Sequence, residues 1–398
     1  MRALRILMLA PEPFFEPRGT PFSEYHRIKA LGELGHHVDL VTYPIGADVD
    51  LPNLRIIRSA GLPFVRRVRV GPSFVKLLLD LLLFVTAWRA ARRGRYDVVH
   101  SHEEAGFFGP WLARRMGVPH LYDMHSSLPH QLSNMRFTLG RWVRPLFDRF
   151  ERQAIDESQA VITICQALQD QVVALGAGRK SVVIENVMGG SADLPPTLDA
   201  AQVRSRWGLR PDQPVILYMG TFEPYQGIDL LIEAAARLAR THPSAVVLVA
   251  GGEAAQVEAA AAKARAAAAP VVFAGQQPAR EIPAFVAAAD ILVSPRTAGT
   301  NTPLKIYSYL QSGKPIVATD LRTHTQVLDA TTALLVKPDA EALETGLARL
   351  LDDPALGRRL AAAAAEVSRT RYSRDAFLRK TAYVYGLMGG GADAGRSG

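Results

Sequence analysis

The run "GTNTPLKIYSYLQSGKPIVATD", Gly299 to Asp320, carries side chains suited to holding an anion. It follows "ADILVSPRTA", an apolar run expected to form a buried strand that ends in a loop. A helix is expected from near Pro303, so Thr300, Asn301 and Thr302 sit where a strand end meets a helix start. Backbone N–H groups left free there, with the helix dipole, form an anion site. Arg296 and Lys305 bracket the loop, and no carboxylate follows before Asp320. Two cations beside a helix N-terminus suit a diphosphate. The competing role is local: Thr and Asn cap the helix and the cations are solvated.

A second group lies earlier. "HSHEEAGFF" places His100, His102, Glu103 and Glu104 at the end of an expected strand, and "YDMHSS" places His125 at the end of the next. One of the two histidines of "HSH" is expected to face a ligand, and His102 is assigned that place. Glu103 could bind acceptor hydroxyls or take a proton; a cap on the helix containing Trp111 is the alternative. Gly19 either lets backbone approach a ligand or simply turns the chain, and the pair Gly251–Gly252 has the same two readings. Gln276 either contacts a base or caps. The triplet Asp48 to Asp50 lies in a loop without partners and reads as a solvated turn. There is no Cys/His metal spacing, so no metal and no resident cofactor are expected.

The elements that must position these residues alternate almost to the chain's end. Thirteen apolar runs, from "LRILMLA" at Leu4 to "ALLV" at Ala333, alternate with segments of helical apolar spacing. That order marks an α/β protein with parallel sheets. The alternation breaks at "GGSADLPPTLDA" and restarts at "PVILYMG". Two doubly wound, Rossmann-like halves follow: a first domain over 1–188, a linker over 189–200 and a second domain over 201–371. An apolar C-terminal helix over 372–388 and a disordered tail over 389–398 complete the chain. Ligands of such sheets bind beyond the carboxyl ends of the strands, which makes the cleft between the halves the expected site.

Several of these motifs together resemble the family-four retaining glycosyltransferases of the GT-B fold, from Ile6 to about Tyr385. "ADILVSP…PLKIYSYLQSGKPIVATD" is similar to the family's donor-binding strand–loop–helix–strand. "MGTFEPYQGIDLLIEAAARL" resembles the opening of its second domain, and "YDVVHSH", "VPHLYDMHSSLP" and "PRGTPFSEYHRIKALGELGHHVDLVTY" resemble elements of its first. The resemblance implies a sugar moved, with retention, from a nucleotide-diphosphate sugar to a carbohydrate or lipid-linked acceptor. The C-terminal helix then returns to the first domain. His125 falls where the family keeps a histidine near the transferring sugar, with His102 and Glu103 on the acceptor side. The donor side comprises Gly19, Gly220, Gly251, Gly252, Gln276, Arg296, Thr300, Asn301, Thr302, Pro303, Leu304, Lys305 and Ser308. Thr300 and Ser308 stand where most members have glutamates; Thr221 and Gln226 stand where most have Arg and Lys. Those departures leave two other outcomes open: a nucleotide-sugar-binding scaffold without turnover, or an epimerase or hydrolase.

The 398 residues carry 46 Lys+Arg against 38 Asp+Glu, a net charge of +8 that favours acidic partners. The lone cysteine, Cys165, excludes an internal disulfide and suits a reducing, cytoplasmic setting. Much of the excess lies in "GLPFVRRVRVGPSFVKLLLDLLLFVTAWRAARRGRY", where Arg66, Arg67, Arg69, Lys76, Arg89, Arg92, Arg93 and Arg95 flank an apolar centre. The apolar run is too short to span a membrane and contains Lys76 and Asp80. It suits either a segment lying on anionic lipid at the inner membrane face or a buried packing helix. The arginines lack interleaved stacking aromatics, which argues against nucleic acid.

Overall fold

The computed structural model describes residues 2–15, 19–63, 65, 68, 74–127, 140–186 and 195–389. The chain divides into two compact units: Met1–Asn186 with Arg374–Gly398, and Val187–Ser373. All thirteen expected strands are present. The expected linker over 189–200 lies outside the described residues up to 194, as does the expected tail from 390.

The first unit holds β1 (Arg5–Ala10), β2 (His37–Thr42), β3 (Leu54–Arg58), β4 (Val98–His102), β5 (His120–Met124), β6 (Ala160–Thr163) and β7 (Ser181–Val183). They form one parallel sheet in the order β3-β2-β1-β4-β5-β6-β7. β4 and β5 are buried along their whole length, as expected for strands covered on both faces. Three helices matter below: α1 (Gly19–Glu33), α2 (Phe74–Arg93) and α3 (Gly109–Met116). The C-terminal helix Arg374–Gly389 packs in this unit, touching α1 and β6.

The second unit holds β8 (Val215–Met219), β9 (Val246–Ala250), β10 (Val271–Gly275), β11 (Ile291–Ser294), β12 (Ile316–Thr319) and β13 (Leu334–Val336). Their order is β10-β9-β8-β11-β12-β13, again parallel. In each sheet the order reverses once, between β1 and β4 and between β8 and β11. Loops diverge at such a switch point and leave a crevice at the strands' carboxyl ends. Most of the expected site residues lie in the loops after β4, β5, β8, β9, β10 and β11.

Candidate functional site

In the second unit, Gly220, Gly251 and Gln276 directly follow β8, β9 and β10, and Arg296 follows β11. The turn after β8 lies against the turn after β9. A Cβ on Gly251, whose φ is +126°, would stand 1.9 Å from the Gly220 carbonyl oxygen. Gly220 also makes room for Lys305, because a Cβ there would meet the Lys305 Nζ at 2.9 Å. Lys305 is half-buried overall, but its Nζ is shielded from solvent. It sits 3.8 Å from the centre of the Tyr218 ring and has no hydrogen-bond partner. Burial, and then the charge of Arg296, hold this ammonium well below its usual pKa.

Arg296 is also buried. Its Nη1 donates to the Asn301 carbonyl and to Thr323 Oγ1, each at 2.7 Å, and its guanidinium lies 5.0 Å over Tyr225. Its Nε has no partner, and neither cation pairs with a carboxylate among the described residues. Burial lowers the Arg296 pKa as well. The helix Leu304–Gln311 starts after Pro303 with no side-chain cap, so Thr300, Asn301 and Thr302 do not serve as caps. Thr302 Oγ1 is buried without a partner, while Thr300 is exposed and its carbonyl accepts from Gln326. The solvated-cation alternative fails too, since both charged heads are enclosed. Gly252 follows Gly251, Gln276 is exposed and Ser308 half-buried; no hydrogen bond joins these to the Arg296–Lys305 group.

In the first unit, β4 and β5 bring His100, His102, Asp123 and His125 together, all buried. The expectation that only one of His100 and His102 faces the site needs correction, because both lie on one side of β4. Positions two apart share a face of a strand, and the two rings stack at 4.4 Å. His102 Nδ1 lies 3.2 Å from His125 Nε2 and 3.4 Å from Glu24 Oε1. Asp123 is the hub. Its Oδ1 lies 3.2 Å from His125 Nε2, and its Oδ2 lies 3.3 Å from Arg27 Nη2 and 3.5 Å from His100 Nε2. His100 Nδ1 meets the Tyr385 hydroxyl at 2.6 Å.

Charge is sorted by this packing. Burial opposes the Asp123 anion, but His125 and Arg27 outweigh it and hold the carboxyl well below its usual range. Burial disfavours the His125 imidazolium, yet Asp123 prevails and the pKa rises. For His102, burial and the neighbouring His100 hold the pKa well below its usual value. Glu103 is raised by burial and then by Glu104. It accepts a hydrogen bond from Ser126 Oγ at 2.6 Å and caps nothing: α3 starts after Phe108. Glu103 holds φ at +45°, a strained backbone for a residue with a side chain.

Two further expectations need correction. Asp48 is exposed, as a solvated turn requires, but it is not without a partner: it accepts from Arg58, which also binds the carbonyls of Phe14, Tyr43, Ile45 and Ala47 and so fixes this loop. Lys76 is not a free basic group, because it pairs with Glu104. Gly19 is the first residue of α1. Arg66, Arg67 and Arg69 lie outside the described residues. Among the described residues, His100, His102 and Asp123 bring ligand-type atoms within 4.8 Å of one another. Arg27 already places a cation at that carboxylate.

Residues 199–367 match the model for "Glycosyl transferases group 1", and residues 25–186 match that for "Glycosyl transferase 4-like domain". The chain is a family-four glycosyltransferase. The transferase is 28% identical over 302 residues to the alpha-D-kanosaminyltransferase of Streptomyces kanamyceticus, covering 73% of this chain and 77% of that one. D-inositol 3-phosphate glycosyltransferases also match, over 35–56% of their own length. Its fold is that of the GT-B sucrose-phosphate synthase from Thermosynechococcus elongatus, with a TM-score of 0.75 at 21% identity over 96% and 98% of the two chains. Anabaena HepE in complex with UDP superposes with a TM-score of 0.73 at 17% identity, over 97% of this chain and 100% of that one.

The transferase places the four unusual residues unevenly. Thr221 and Thr300 are exposed, Ser308 is half-buried, and Gln226 is buried with its Oε1 unpartnered. Sequence reasoning missed Glu24, Arg27 and Tyr385. Glu24 and Arg27 are charged positions on an otherwise apolar helix face, three apart, which is a usable signal. Tyr385 has none, because it arrives from 285 residues away.

Proposed function

We propose that this transferase takes its sugar from a nucleoside-diphosphate donor held by the second unit. The observation that carries the reading is the pair of enclosed cations, Arg296 and Lys305, without a counter-carboxylate among the described residues. Burying such charge is costly unless an anion compensates it. A diphosphate beside the uncapped start of Leu304–Gln311 would supply that anion. In transfer, the bond from the anomeric carbon to the diphosphate oxygen breaks and a bond to an acceptor oxygen forms on the same face. The acceptor's proton leaves with the diphosphate. Arg296, Lys305 and the helix N-terminus would stabilise the negative charge gathering on the leaving group. No metal is needed in this scheme, since side chains supply the positive charge. HepE's complex with UDP makes uridine donors the first to test.

His125, held by Asp123, is assigned to the transferring sugar, and Glu103 with His102 to the acceptor. The acceptor is proposed to be lipid-linked or a growing surface polysaccharide. No described helix is long and apolar enough to cross a membrane. The support for a membrane face is α2, which buries Leu79, Leu83, Ala87 and Ala90 on one side. On the other side it leaves Phe74 84%, Leu77 58%, Leu78 51%, Leu81 59% and Trp88 42% exposed. One face of this helix is thus buried as a packing helix requires, and the opposite face offers the apolar surface that a segment lying on lipid would use. With Arg89, Arg92, Arg93 and Arg95 at its end, that outer face suits the inner leaflet of an anionic membrane.

The test compares donor binding with turnover in His125→Ala. Turnover is expected to fall by roughly 10²-fold or more, the usual size of a lost acid–base or electrostatic contribution. Donor affinity should change little. A variant that turns over like the parent removes His125 from the reaction.

A further inference from the structure

The last turns of α2 and α3 enclose a pocket of about 640 Å³ that none of the chemistry above uses. Its lining includes Trp88, Arg92, Arg95, Tyr96, Trp111 and Arg115. Arg92 lies 5.3 Å over the Trp88 ring, and Arg115 lies 5.6 Å over the Trp111 ring. A basic residue in a last helical turn ordinarily answers the helix's carbonyl end. Here the two guanidinium groups lie on indole faces instead. Among the described residues, Arg92, Arg95 and Arg115 make no ion pair and no hydrogen bond, and neither indole N–H has a partner. Arg114, beside them, does pair, with Glu157. The pocket is thus lined by three cations without an anionic partner among the described residues, two of them on indole faces, beside the apolar Leu112 and Met116.

Such a lining fits one phosphate group with apolar material attached. Guanidinium groups bind phosphate oxygens in a fixed fork, and indoles favour the boundary between water and acyl chain. The pocket also continues the exposed stripe of α2. Exposed Phe74, Leu78, Leu81 and Trp88, with half-buried Val85 between the last two, recur at the three- and four-residue spacing of one helix face. They lead over about 21 Å, at 1.5 Å per residue, to the pocket's edge. We infer that the pocket seats the phosphate headgroup of an anionic phospholipid while the α2 stripe enters the acyl layer. This rests on the membrane reading of α2 and adds a defined headgroup site to it. A stripe alone gives adhesion; a pocket fixes how deep α2 lies and about which axis it turns.

The full chain would be sedimented at low salt with vesicles of phosphatidylcholine, alone or mixed equally with phosphatidylglycerol, while tryptophan emission is recorded. Binding to the anionic vesicles only, with a blue shift, is expected. Arg92→Gln and Arg115→Gln should each weaken partition by well over the roughly fivefold share of any one basic residue at an anionic surface, because each also loses its fork on the phosphate. Arg93→Gln removes the same charge from the same turn but does not line the pocket, so it should cost clearly less. Equal losses for all three would overturn the headgroup site and leave the membrane reading standing. Indifference of the parent to anionic vesicles would overturn both. Inorganic phosphate that shifts the emission as strongly as vesicles at equal phosphate concentration would also overturn it, in favour of a free-anion site. Unchanged thermal melting of the three variants serves as the folding control.

Discussion

Replacing Lys305 with methionine should make the free transferase more stable and its grip on nucleoside diphosphates weaker. The stem is preserved and only the enclosed ammonium is lost. An unsatisfied buried polar group costs about 1–3 kcal/mol. The contact of Lys305 with the Tyr218 ring, at 3.8 Å, offsets part of this, about 0.5–2 kcal/mol. The net gain on substitution is then on the order of 1 kcal/mol, or about 2–4 °C in the melting of a unit this size. Diphosphate binding should weaken by ~1.5–3 kcal/mol, the worth of a hydrogen bond to a charged group, or about 10- to 150-fold. Protonation gives a sharper signature. Burial and Arg296 depress the Lys305 pKa, so the folded state binds the proton more weakly than the unfolded chain. Stability from this group therefore rises with pH above the folded pKa, up to the ordinary lysine value. A bound diphosphate reverses the shift, and binding should draw up to about one proton from solution. Calorimetry in buffers of different ionisation enthalpy reads that uptake, with UDP as the first ligand. The uptake should vanish in Lys305→Met. A variant that melts lower than the parent yet binds UDP as tightly would refute the reasoning.

Two further outcomes follow from packing in each unit. Asp80, which accepts from the Tyr43 hydroxyl, is pushed up to about 7 by burial and then by Glu104, against the opposing pull of Tyr43 and Lys76. Its folded state holds the proton more tightly, so this group's contribution to stability should be lost as pH rises between about 4 and 7. Asp80→Asn should flatten that slope in pH-dependent melts and be the more stable protein at pH 8. Gly251→Ala should destabilise the second unit by at least the 1–3 kcal/mol of a strained backbone, in the order-of-magnitude sense. Its φ is +126° and its new Cβ would lie 1.9 Å from the Gly220 carbonyl oxygen; unchanged denaturant unfolding would contradict this packing.

The local pattern of the chain determined its strands and the loops that follow them. Apolar runs such as "VILYM" and "VVLVA" leave a parallel strand little choice, because both faces of such a sheet are covered. The strand-to-helix loop over 296–305 and its two cations were equally legible, since residue type and the strand-to-helix boundary are both local. What the sequence could not supply was which polar atoms would lose their water. That Lys305 ends beneath Gly220, and that Arg296 is claimed by Asn301 and Thr323, depends on turns from different strands meeting. The histidine group shows the same limit. "HSH" and "YDMHSS" identified the strand ends, but Asp123 becomes their hub only when α1 brings Arg27 and the C-terminal helix brings Tyr385. On α2 the sequence showed an apolar helix nearly all round, and only packing decided that Leu79 and Leu83 turn inward while Phe74, Leu78 and Leu81 remain in water. Periodicity reports what a segment can bury; the partners assembled around it decide what it does bury, and so which charges remain uncompensated and able to bind a ligand.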